Sequence, residues 1–130
     1  MKLPENAKEW SPVLLRIGLS LVFLWFGASQ LMNPNNFVGY LPTFLFASSM
    51  AKAFVLANGI FEIIAGLLLL GGLFTRIVSF LLALHLMVIT IELGMGETAV
   101  RDFGLSIATL AVCLGGYDSW SIDYYRKKKR

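Results

Sequence analysis

Between Ile17 and Ala51 no Lys, Arg, Asp or Glu interrupts the chain, and three more long apolar segments follow. A bilayer core of about 30 Å takes roughly 20 mostly apolar residues to cross as a helix, whereas buried helices of soluble domains are usually shorter and keep one polar face. Four stretches reach or approach that length: about 13–32, where only Arg16 is charged; about 52–72, with Glu62 as the interior charge; about 77–94, carrying His85 and Glu92; and about 99–117. The last is the weakest and borrows Ala99 to Asp102 to span. The pattern predicts an all-α integral membrane protein, a four-helix bundle forming a single membrane domain over residues 1–130 with a basic tail at 118–130.

The connections differ in kind. Only Leu73 to Arg76 separate the second and third segments, so these must be antiparallel neighbours. Between the first and second lies NPNNFVGYLPTFLFASSMA, which is uncharged and rich in aromatics. Asn33-Pro34-Asn35-Asn36 stops the first helix. Phe37, Tyr40, Leu41, Phe44, Leu45 and Phe46 are too apolar to stand in water, which makes the stretch an interfacial segment, either a lipid-facing lid or the mouth of a hydrophobic site. Gly27-Ala28-Ser29 faintly resembles a signal cleavage site, but the length of the apolar run reads as a retained helix.

Composition sharpens this picture. Hydrophobic residues make up 57% of the chain and charged ones 15%, and the mean hydropathy is +0.72, far from an ordinary soluble domain. The single Cys113 closes no internal disulfide and forms no CxxC pair; it reads as a small packed residue. Of the 11 Lys and Arg, nine (Lys2, Lys8, Arg16, Arg76 and the run Arg126 to Arg130) fall on one face of a four-helix topology, and Lys52 and Arg101 fall on the other. The rule that basic residues accumulate inside places both termini and the Thr75-Arg76 turn in the cytoplasm of a multi-pass protein of the cell or inner membrane. Beside Trp120, Tyr124 and Tyr125 the basic tail reads as an interfacial anchor on membrane lipids rather than a nucleic-acid-binding arm.

Ionisable groups at membrane depth are costly and normally face the bundle interior, so they carry any chemistry. At ~1.5 Å per residue, Glu62 lies ~15 Å, His85 ~12 Å and Trp25 ~18 Å from the cytoplasmic edge, one shared layer near the midplane. Asn58, Glu62 and Gly66 form a polar and small-residue stripe, and Glu92 stacks one heptad beyond His85, a polar column running outward. Because side chains lean towards helix N-termini, Glu62 and His85 lean apart in antiparallel helices, a gap that a water or ligand would fill. Glu62 either pairs with His85 or sits protonated against Trp25 or a backbone carbonyl. The candidate ligand, quinone or proton site is therefore Trp25, Asn58, Glu62, His85 and Glu92, with Tyr40 and Phe44 as an outer lid. Arg16, about one turn inside the edge, can snorkel to headgroups and reads as structural rather than catalytic; Gln30, Arg101 and Asp102 lie near the outer surface, where they read as interfacial hydrogen-bonding groups. One His, one Cys and scattered Met cannot build a haem, iron-sulfur or copper centre, so no metal ligands and no covalently bound cofactor are expected.

The runs LLRIGLSLVFLWFGASQL and GIFEIIAGLLLLGGLFTR, with the central Glu62, the four-helix length and the aromatic outer loop, resemble the DoxX-like family of small membrane proteins over roughly Val13 to Leu93. By position Arg16 matches the family's early Arg, Trp25 and Gly27 its small-and-aromatic helix end, and Glu62 with Gly66 its second-helix pattern. Gln30 departs from the Lys often found there. The resemblance implies a four-helix membrane bundle associated with quinone-linked oxidation of thiosulfate or with membrane redox assemblies.

Three function classes follow. The first is a non-catalytic accessory subunit of a membrane oxidoreductase complex, binding quinone or lipid between its helices beside partner subunits. The second is a small proton-coupled transporter using Glu62, against which the Arg in the first helix counts. The third is a purely structural subunit of a larger membrane complex.

Overall fold

A computed structural model describes residues 4–46, 49–94 and 96–130. Its elements are α1 (Ala7–Met32), a 3-10 helix (Pro34–Tyr40), α2 (Thr43–Phe46), α3 (Ala51–Gly71), α4 (Thr75–Leu93), α5 (Glu97–Gly115) and α6 (Ile122–Lys128). Of these, α1, α3, α4 and α5 are long and apolar enough to cross a membrane. Only 28–33% of their most apolar windows is buried inside the protein, while Leu21, Ile64, Ile91 and Leu114 point outwards. Helices with apolar residues on both faces need an apolar solvent, and lipid is that solvent. Part of the basic tail is itself helical, as α6.

The four long helices are grouped as two close pairs, α1 with α3 and α4 with α5; the pairs meet each other over the wider α3–α4 and α1–α5 seams. Glycines set the first pair. A β-carbon on Gly27 would stand 2.9 Å from the Gly59 carbonyl oxygen and 2.8 Å from Ile63 Cγ1, so the two backbones approach as closely as only hydrogen permits. Small residues serve the second pair: Ser79, Ala83, Ser106 and Thr109 are buried, and the Ser106 hydroxyl donates to the Ala83 carbonyl across the interface at 2.8 Å. Leu19, Phe23, Leu69, Val78, Leu82 and Val112 pack between the pairs in the half of the bundle nearer the α3–α4 turn. Chain continuity does join α3 and α4 antiparallel, yet α3 packs most closely on α1, because the glycine crossing brings those backbones nearer than the larger side chains on α4 allow.

At the turn, Gly72 takes φ +70, and the amides of Gly72 and Leu73 donate back to the carbonyls of Leu69 (3.0 Å) and Leu68 (2.9 Å), which closes the C-terminus of α3. The start of α4 is capped from afar. Asp123 Oδ1 accepts from the Phe74 amide at 3.0 Å, and Oδ2 accepts from the Thr75 amide at 2.8 Å and the Thr75 hydroxyl at 3.0 Å. Phe74, the one described non-glycine residue at positive φ, is held at 51° by that contact. The Asp123 amide in turn donates to the Gly72 carbonyl at 3.0 Å.

Arg16 is a correction. Instead of snorkelling it is 1% exposed: its Nε donates to Asp118 Oδ2 at 2.6 Å and its Nη2 to Oδ1 at 3.2 Å, while Nη1 donates to the Leu69 carbonyl at 2.9 Å and to that of Leu70. The chain turns back after α5 at Gly116, φ +76, and brings Asp118 to it. With four acceptors inside the protein, the guanidinium has no reason to reach for headgroups.

Burial pushes the Asp123 carboxyl up, but the bonds from Thr75 and Phe74 and the charge of Arg126 outweigh it and hold the carboxyl below its ordinary value. A depressed native pKa means the contact stabilises the fold at pH above the usual aspartate range and is lost as pH falls through the native value. The protection of the Phe74 and Thr75 amides, taken relative to the intrinsic exchange rate at each pH, should therefore fall on acidification, and Asp123→Asn should show the reduced protection already at neutral pH. Protection that stays constant down to strongly acidic pH would contradict this capping role.

Candidate functional site

Four polar side chains meet where α1, α3 and α4 converge. The Glu62 carboxylate is the hub and is 3% exposed. Gln30 Nε2 donates to Glu62 Oε2 at 2.9 Å; Asn58 Nδ2 donates to Gln30 Oε1 at 2.7 Å and lies 3.3 Å from Glu62 Oε1; His85 Nε2 stands 3.2 Å from the same Oε1. The expected gap between Glu62 and His85 is thus closed by direct contact. Glu62 lies nine residues before the end of α3 and His85 ten after the start of α4, so the hairpin puts them at one height, and their side chains span the seam despite leaning opposite ways. The His85 ring also meets Phe61 edge-on, centroids 5.2 Å apart, which fixes its plane.

This cluster forms one wall of a partly enclosed cavity of about 240 Å³. The rest is mostly apolar: Phe23 and Phe26 from α1, Phe54 and Val55 from α3, Leu86 and Ile89 from α4, Leu105 from α5. Phe37, Tyr40, Leu41 and Pro42 close part of it. In a 3-10 helix residues three apart eclipse, which is why Phe37 and Tyr40 face the cavity together, their rings 5.9 Å apart. Glu92, Arg101 and Asp102 complete the wall. Asp102 is buried, and its Oδ1 accepts from Arg101 Nε at 2.9 Å, while the guanidinium lies over the Phe26 ring at 5.1 Å. The glycine contact draws α1 onto α3, and the cavity lies on the side of that pair facing α4 and α5.

Of the residues expected to gather here, Asn58, Glu62, His85, Glu92 and Tyr40 line the cavity. Trp25 does not. It is 65% exposed on the outer face of α1, against Phe26, because the inward stripe runs through Leu19, Phe23, Gly27 and Gln30 and two residues of helix rotate about 200° away from it. Phe44 is 76% exposed and is not among the cavity residues. Gln30 and Asp102, expected near the outer surface, are buried parts of the site. α1 ends two residues after Gln30 while α3 continues well past that level, so the end of one helix is the middle of its neighbour. Among the described residues no three His, Cys, Asp or Glu side chains are grouped to hold a metal ion.

Four helices long and apolar enough to cross a membrane, around a mostly apolar cavity, define a multi-pass membrane protein of the small helical-bundle class. The DoxX family model matches residues 11–95, and the chain belongs to that family. No curated protein and no solved structure matches it. The matched stretch contributes Gln30, Asn58, Glu62, His85 and Glu92; Arg101, Asp102 and Asp118 come from beyond it.

Proposed function

We propose that this DoxX-family protein binds a neutral, largely apolar molecule drawn from the bilayer, a quinone or the apolar part of a lipid, and that it does so as an accessory subunit beside a membrane oxidoreductase. The observation that carries the reading is an apolar cavity with a hydrogen-bonding cluster on one wall. Ligand sites of this kind are mostly hydrophobic and are oriented by a few polar groups. Since an apolar cavity of about 150 Å³ takes a benzene ring, 240 Å³ accommodates a quinone ring with the start of its tail.

The residues fit such a ring. The amide groups of Asn58 and Gln30 are the donors nearest the Glu62 end, and Glu62 with His85 can hold or pass one proton between Oε1 and Nε2. Tyr40 and Phe37 cover the apolar side. A quinone supplies two-electron chemistry when bound; this chain's part is to position it, exclude water and handle the proton at Glu62. In this reading both termini and the Arg76 turn face the cytoplasm, which the nine-to-two division of basic residues supports, and α6, docked on the α3–α4 turn, lies on the same side as that turn.

Purified protein in neutral detergent should bind a short-chain benzoquinone saturably, and Glu62→Ala should weaken binding by about tenfold or more, the loss of one buried hydrogen-bonding group. Glu97→Ala, on the exposed start of α5, should leave it unchanged. Equal effects of the two substitutions would remove the quinone from this cavity.

A further inference from the structure

We infer that the cavity selects its ligand by charge: it admits neutral and cationic amphiphiles and refuses anionic ones. This rests on the ligand-binding reading above and narrows it. Three carboxylates, Glu62, Glu92 and Asp102, line the space against one guanidinium, Arg101, which leaves a formal charge of −2 with His85 neutral and still a negative one with His85 charged.

The cation in the wall, Arg101, is half-exposed but already paired. Arg101 Nε and Nη2 both lie 2.9 Å from Asp102 Oδ1, and that carboxylate is itself buried beside the cavity. The guanidinium plane is further engaged by Phe26. An entering anion would have to compete with Asp102 for Arg101, passing Glu92 at the exposed edge and facing the buried Glu62 in surroundings of low dielectric, where like charges repel far more than in water. At the deep end the position on α1 that contacts Glu62 is the neutral amide of Gln30, and His85, when it carries a proton, already faces the Glu62 carboxylate at 3.2 Å.

A cation meets the opposite environment. Phe23, Phe26, Phe37, Tyr40 and Phe54 present aromatic rings to the space, whose faces attract ammonium-type charge, and Glu62 supplies a counter-charge in the wall. Neutral molecules incur neither repulsion nor attraction, so they enter on apolar burial alone.

His85 is the only histidine of the chain and lies in the cavity wall, so the ring signal of histidine-labelled, untagged protein in neutral detergent reports occupancy. Three probes separate the outcomes: a decyl-chain benzoquinone, decyltrimethylammonium and decyl sulfate. The quinone and the ammonium should each shift the His85 resonance saturably, with decyl sulfate needing on the order of tenfold or more higher concentration. Glu92→Gln, at an exposed edge position, should narrow that ratio without risk to folding, and Asp102→Asn, which releases Arg101, should narrow it further. If decyl sulfate saturates as readily as decyltrimethylammonium while the quinone binds, or if neither substitution changes the ratio, charge selection is overturned and the ligand cavity stands. If none of the three probes moves the His85 signal, the ligand-binding reading fails, and charge selection with it.

Discussion

Arg16→Ala should destabilise the folded protein by about 3–5 kcal/mol, the usual penalty for leaving one member of a buried ion pair without its partner. Asp118 would be stranded at 6% exposure, and the carbonyls of Leu69 and Leu70 at the end of α3 would lose their shared donor. Reversible unfolding in mixed micelles measures the loss. Replacing both partners, as in Arg16→Met with Asp118→Leu, removes the stranded charge and should recover most of the stability, because well-packed apolar pairs often match a buried ion pair. A single-variant cost below about 1 kcal/mol would mean the pair behaves like an exposed one.

Gly27→Val is the second large effect. The first carbon of the new side chain already meets the Gly59 carbonyl oxygen at 2.9 Å and Ile63 Cγ1 at 2.8 Å. Backbone cannot yield as a flexible side chain does, so α1 and α3 must separate, at a cost of about 1–3 kcal/mol. The separation should also pull Gln30 from Glu62, since the 2.9 Å bond between them depends on that crossing. A changed His85 resonance together with lower stability is the expected result. Gly18→Val serves as the comparison: nothing lies within 4 Å of a β-carbon there, and since glycine is itself a poorer helix former than valine it should be nearly neutral. Matching losses for Gly27 and Gly18 would show that the close crossing does not organise the site.

How much of this was legible beforehand depends on the range of the interaction. The four apolar runs announce the spanning helices because length and hydropathy are local properties, and the short link after Gly72 sets Glu62 level with His85 by simple counting. The orientation of α1 was less legible. A helix apolar on both faces carries little signal of which side turns inward, and Trp25, in the right layer, proves to be on the wrong side of it. Depth estimates failed for Gln30 because they assumed helices of equal height, whereas α3 rises well past the end of α1. Asp118 and Asp123 stood within a basic, aromatic stretch that reads as a surface anchor; their partners lie 102 and 48 residues earlier, and no local pattern connects them.

That last feature has a bearing on biosynthesis. Arg16 enters the membrane with the first helix, but its carboxylate partner is made only after α5 is complete, and the cap on α4 comes five residues later still. Until then the growing chain holds a lone cation inside the protein and an unfinished helix start at the α3–α4 turn. The closing segment thus acts as a completion seal: a chain ending after Gly116 would own every spanning helix yet keep the exposed signature of an unassembled product, the kind of defect that membrane proteases and chaperones act upon.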